Sequence, residues 1–147
     1  MAAHLRLFRA LWVRAVIIMD RVLHTDGIVA IEWPTSCAYW RFRQVKAYIA
    51  SRGLSLVKIH GCAFGMMNSD GVVVYKPWTI ATNSTVLHTG LQPYRCTRDH
   101  LHAALEGKET TRSSKYPIKM AKKIHYLFKV AVDGGNGDLK DRPTSSQ

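Results

Sequence analysis

Two short apolar runs separated by one helix-length segment constrain this chain more than any other feature. The first, IVAIEWP, spans residues 28–34, and the second begins LSLVKI at residue 54. The first is apolar on both faces, as a parallel strand covered by helices would be. Between the runs lies CAYWRFRQVKAYIASRG, in which Trp40, Val45, Tyr48 and Ile49 supply an apolar side and Gly53 a C-terminal stop. A strand–helix–strand unit follows, expected as a right-handed crossover between strands of one sheet.

The flanking segments add to that unit. Residues 4–24 read as a helix with Phe8, Leu11, Trp12, Ala15, Met19 and Val22 on one face and Arg6, Arg9, Arg14 and Arg21 on the other. Asp26-Gly27 ends it with a turn. After the second strand, MMNSDG is a loop turning at Asp70-Gly71, and VVVYKPWTIATN is further strand, interrupted or edged at Pro77. Asn83 or Ser84 can cap a short helix. The stretch from Gln92 to Lys115 is polar and without period, so it needs something to order it. A last helix starts near Pro117, with Ile118, Ala121, Ile124, Leu127 and Phe128 as its stripe. The expected organisation is one α/β domain over residues 1–132 and a disordered tail over 133–147, rich in Gly, Asp, Ser and Pro.

Charge narrows the partners. The 147 residues carry a formal net charge of +11, which favours nucleic acid first and an anionic membrane surface second. The most apolar region, LWVRAVIIMDRVL, contains Arg14, Asp20 and Arg21, so no segment reads as a bilayer span or a cleavable signal. Cys37, Cys62 and Cys96 are too few and odd in number for a secreted disulfide framework. An intracellular site, cytoplasmic or nuclear, is expected.

Three constellations can carry chemistry. In an open α/β sheet, ligands bind beyond the carboxyl ends of the strands, and Glu32 sits there with Pro34 constraining the exit. The same position suits a glutamate that caps the next helix or pairs with an arginine. Lys76 and Trp78 put a cation beside an aromatic ring, a pair suited to a phosphate and a base, or to a surface lysine beside a core tryptophan. Finally, CTRDHLH brings Cys96, His100 and His102 together, and Cys62 is the natural fourth ligand of a tetrahedral zinc, with His60 as a substitute. A metal there would order the polar stretch; the alternative is surface histidines and a buried thiol. No phosphate-binding loop or G-x-G-x-x-G follows a first strand.

In order, EWPTSCAYW, GCAFG, DGVVVYKPWTIATN, CTRDHLH and KYPIKMAKKIH resemble the C-terminal half of a methyltransferase-like Rossmann domain of phage and mobile-element proteins. The resemblance covers about residues 5 to 130. That group is distantly similar to cytosine-5 DNA methyltransferases, in which a Glu-Asn motif at a strand end contacts the target base. Glu32 matches that glutamate, with Trp33 in place of the asparagine; the later arginine motif is not reproduced, and Lys76 is the nearby cation. The resemblance implies a partial Rossmann-like, three-layer sheet with flanking helices. It also implies a nucleic-acid-associated protein that is catalytically incomplete alone. S-adenosylmethionine would bind only with a missing N-terminal half that carries the cofactor loop and a Pro-Cys nucleophile, supplied by a partner chain. Glu32 would then be the catalytic residue. The alternative is a non-enzymatic, zinc-ordered basic module that holds nucleic acid through Arg6, Arg9, Arg14 and Arg21 and through Lys119, Lys122 and Lys123.

Overall fold

The structure, a computed structural model, describes residues 2–103 and 115–134. Over these residues the chain is a mixed α/β fold: four α-helices and a three-stranded antiparallel sheet. Helix α1 (Ala2–His24) leads into β1 (Ala30–Pro34). A 3₁₀ turn (Ala38–Arg41) precedes α2 (Arg43–Ser51) and β2 (Ser55–His60). A second 3₁₀ turn (Gly61–Phe64) and a long loop reach β3 (Pro77–Thr82), followed by α3 (Thr85–Leu91) and, later, α4 (Ile118–Gly134).

The sheet order is β1-β3-β2, with β3 antiparallel to both neighbours. The strand–helix–strand unit exists, but β1 and β2 are not adjacent: β3 enters between them. This differs from a simple parallel crossover. Burial on both faces, which suggested parallel pairing, is met here by an antiparallel sheet covered on both sides. Trp78 to Thr82 are all buried, which suits the central place of β3. Pro77 is its first residue, where a missing N–H disturbs no ladder bond inside the strand.

Strand alternation sorts two cores. On one face Val57, Ile59, Trp78 and Ile80 pack with Leu87 and Leu91 of α3 and Met120 and Leu127 of α4. On the other, Ile31 and Ala81 pack with Phe8 and Trp12 of α1 and Val45 and Tyr48 of α2. Phe8 stacks on Tyr39 with ring centroids 3.8 Å apart. Asp20 fastens α1 to α2: it accepts two hydrogen bonds from Arg52, both 2.8 Å, and one from the Tyr48 hydroxyl at 3.0 Å.

Local signals hold with adjustments. Gly53 takes φ 62° and stops α2, a conformation that favours glycine. Phe42 is extended and splits the expected single helix into a 3₁₀ turn and α2. Ser84 is the N-cap of α3, its Oγ accepting from the Leu87 N–H. Gly71, also at positive φ, completes the turn after Asp70, with Asn68 Oδ1 accepting from Asp70 and Val72 N–H groups. On α4 the buried stripe is rotated from the expected one. Met120 and Leu127 are buried, whereas Ile118 and Phe128 are exposed. Leu11 of α1 is likewise exposed. No helix among the described residues is long and apolar enough to cross a membrane. Of the expected tail, residues 135–147 lie outside the described residues.

Candidate metal centre

The end of β2 and the segment after α3 meet at one place. His60 N–H donates to the Tyr94 carbonyl at 2.9 Å, and Cys96 N–H donates to His60 Nδ1 at 2.7 Å. Tyr94 stacks flat on Phe64, with centroids 4.3 Å apart. Further on, Ala103 N–H donates to the Val73 carbonyl at 2.8 Å. Residues 94–103 of the polar stretch are therefore tied down at both ends, and their middle turns back on Cys62; residues 104–114 of that stretch lie outside the described residues.

The four expected ligands come together there. The donor atoms of Cys62, Cys96, His100 and His102 all lie within 4.8 Å of one another. Cys96 Sγ is 3.7 Å from His100 Nε2 and 3.4 Å from His102 Nε2. A tetrahedral zinc with bonds of about 2.3 Å to sulfur and about 2.0 Å to nitrogen sets those ligands about 3.5 Å apart. The two Cys96 distances fit that spacing. The cluster's outer contacts fit as well: Arg98 N–H points at Cys96 Sγ from 3.3 Å, and Asp99 Oδ1 lies 2.8 Å from His100 Nδ1. A carboxylate on the far ring nitrogen leaves Nε2 for a metal. Arg98 sits at φ 61°, a left-handed conformation that is uncommon for a non-glycine residue, at the tight turn around Cys96.

Burial and close contacts set the electrostatics of the site. Burial pushes the Cys62 thiol up to about 11, and the neighbouring Cys96 adds to the effect. His60 is held below its ordinary value by burial, then by the nearby Arg95 and Arg98 charges. Hydrogen bonds from Thr97 and His100 hold Asp99 low. His60 is not in the cluster: its Nδ1 holds the Cys96 backbone instead.

Arg95, which precedes Cys96 in the chain, borders a small cleft of about 190 Å³ with Lys58, His88 and Gln92 among others. His88 Nε2 lies 3.2 Å from the Leu56 carbonyl. Sequence reasoning missed Lys58, His88 and Arg95. The readable signal was YRCTRDHLH itself, in which arginines flank the first ligand.

The expected nucleic-acid residues do not converge. Arg6, Arg9, Arg14 and Arg21 are exposed on α1, whereas Lys119 and Lys122 are exposed on α4. These two helices cover opposite faces of the sheet. Lys123 lies over the Tyr94 and Tyr126 rings at 5.7 and 5.5 Å. Lys76 lies 5.5 Å from the Trp78 ring, but Trp78 is 2% exposed. Its ring is part of the core, so its face is closed to a stacking base.

Glu32 sits in the middle of β1 opposite Ile80, on the face of the sheet that meets α3 and α4. An antiparallel sheet has no common carboxyl edge, so strand polarity alone does not explain its position. Tyr116 donates a hydrogen bond to Oε2, while Oε1 is buried without a hydrogen-bond partner. Burial raises the Glu32 carboxyl above its ordinary value, against the Tyr116 bond and the Lys76 charge, which lower it. Tyr116 is pushed up to about 12 by burial and then by Glu32.

No protein family, curated protein or solved structure matches this chain.

Proposed function

We propose that the chain is a non-enzymatic basic module that binds the phosphate backbone of nucleic acid through a cleft held in shape by zinc. The observation that carries this reading is the meeting of Cys62, Cys96, His100 and His102 within 4.8 Å. Four protein ligands make a closed site, the form that supports structure rather than hydrolysis. Such an ion would fix the segment from Tyr94 to Ala103 and hold Arg95 beside Lys58 in the small cleft. The net charge of +11 supplies the general attraction.

The test is binding of a labelled DNA duplex and a labelled single strand over a series of salt concentrations. Affinity is expected to fall linearly with salt on logarithmic axes. The double variant Lys58→Gln/Arg95→Gln should reduce the duplex slope by about 2, one phosphate contact for each lost charge. No binding at low salt, or an unchanged slope, would refute the proposal.

A methyltransferase-like fragment, Rossmann-like once completed by a partner chain, is the second reading. It draws support from the motif resemblance and from the half-buried Glu32 carboxylate bordering two cavities. On that reading the isolated chain transfers no methyl group from S-adenosylmethionine, and radiolabel entering DNA would overturn it.

A further inference from the structure

Among the described residues, strand β1 has a neighbour on one side only. Which groups face its open side follows from the register. Thr35 N–H donates to the Pro77 carbonyl at 3.0 Å, so this pair is a bonded position of the antiparallel ladder. Alternation then makes Trp33 with Thr79, and Ile31 with Ala81, the bonded pairs. The N–H and C=O groups of Ala30 and Glu32 therefore point away from β3. The Pro34 carbonyl, also outward, accepts from the Trp40 indole N–H at 3.1 Å.

This open edge lies between two cavities. One, of about 440 Å³, is lined by Leu7, Leu11 and Trp12 of α1. The other, of about 480 Å³, is lined by Tyr116 and by Met120 and Phe128 of α4. Ala30 and Glu32 line both, so the cavities are the two sides of one strand edge. Leu7, Leu11 and Phe128 leave 59%, 55% and 45% of their surface exposed along it. A strand laid here would find backbone partners in the middle and an apolar recess for its side chains on each side. Glu32, which borders both recesses, has a buried Oε1 without a hydrogen-bond partner.

We propose that the open edge of β1 docks an extended segment of another polypeptide, which adds a fourth strand and sets a lysine or arginine against Glu32. A second copy of this chain is the poorer occupant. Two β1 strands paired about a two-fold would bring both Glu32 carboxylates onto one face within about 7–8 Å, and each chain carries +11. An inward-pointing charge on an edge strand also rejects wholly apolar strands, so Glu32 makes the edge selective. The proposal rests on neither the metal centre nor methyl transfer.

The probe is the synthetic peptide acetyl-Thr-Val-Ile-Lys-Ile-Val-Thr-amide, titrated into the full chain with amide NMR shifts as readout. Its lysine and valines share one face and its isoleucines the other. Shifts are expected at Ala30 to Trp33, with affinity at least about tenfold weaker when the peptide lysine becomes glutamate. Of two peptides N-methylated at alternate backbone nitrogens, in opposite phase, one should bind and the other should not. Glu32→Gln, which keeps the shape, should erase the preference for lysine, and Glu32→Lys should reverse it. No shifts at about 1 mM peptide would overturn the proposal. So would equal binding of both N-methylated phases, which would mean that the recesses take side chains or small cations without strand pairing. A concentration-dependent dimer abolished by Glu32→Lys would assign the edge to a second copy instead, and would also overturn it.

Discussion

Gly90 lies in α3 where that helix crosses Leu127 of α4. A methyl group at position 90 would fall 2.4 Å from Leu127 Cδ2, 2.8 Å from Cδ1 and 3.2 Å from Cγ. Leu127 is 5% exposed and packs in one cluster with Leu87, Leu91 and Met120, so it has little room to retreat. Two effects oppose each other in Gly90→Ala. Helix propensity gains at most about 1 kcal/mol, and less near the end of so short a helix. Overpacking costs about 1–3 kcal/mol, and contacts this close favour the upper half of that range. The expected result is a net loss of about 1–2 kcal/mol. Leu127→Ala alone should cost about 2–5 kcal/mol through its cavity. In the double variant the new methyl group meets space instead of a side chain, so the two changes should couple favourably by about 1–2 kcal/mol. Urea midpoints of the four proteins in the cycle measure this. A raised midpoint for Gly90→Ala, or additivity within about 0.5 kcal/mol, would refute the close packing of α3 on α4.

Ser84→Ala removes the α3 cap and should cost about 1 kcal/mol in the same assay, with an unchanged midpoint counting against the cap. Asp20 is held below its ordinary 3.8, first by the Arg52 hydrogen bond. Its stabilisation is therefore complete above that value and lost as pH falls through the lower folded-state value. Asp20→Asn should flatten stability over that acidic window and lower the neutral-pH midpoint; parallel pH profiles of the two proteins would contradict this. Glu32 titrates the other way. Its carboxyl is raised above 4.5, chiefly by burial, so folding is disfavoured increasingly as pH rises through that value. Glu32→Gln keeps an acceptor for Tyr116 and should stabilise the chain at pH 7, with the gain vanishing in acid; a loss at pH 7 would show that the carboxylate is better paired than its unpartnered Oε1 indicates.

The meeting of Cys62, Cys96, His100 and His102 was legible because cysteine and histidine at CTRDHLH have few structural uses in so polar a stretch, and because Cys62 closes a strand end. Helix α1, the Ser84 cap and the Gly53 stop were legible because each is set by neighbours within a turn. Strand order was not. A covered strand carries the same apolar run whether its neighbour is parallel or antiparallel, so nothing in IVAIEWP reveals that β3 enters beside it. Trp78 read as well for a base-stacking ring as for a core side chain; only tertiary packing decides. The rotation of the α4 stripe arises in the same way, since Met120 fills the core and Ile118 does not. Arg95 and Lys58 are far apart in sequence, and their shared cleft exists only because the segment after α3 folds back on β2.

The central claim is that Cys62, Cys96, His100 and His102 hold one zinc that orders the segment beside the basic cleft. Its most direct test is metal content by inductively coupled plasma mass spectrometry on chelator-washed protein, with Cys96→Ala as the control. One zinc per chain is expected in the native protein and none in the variant. Native protein free of zinc and unable to take it up, or zinc retained in full by Cys96→Ala, would contradict it.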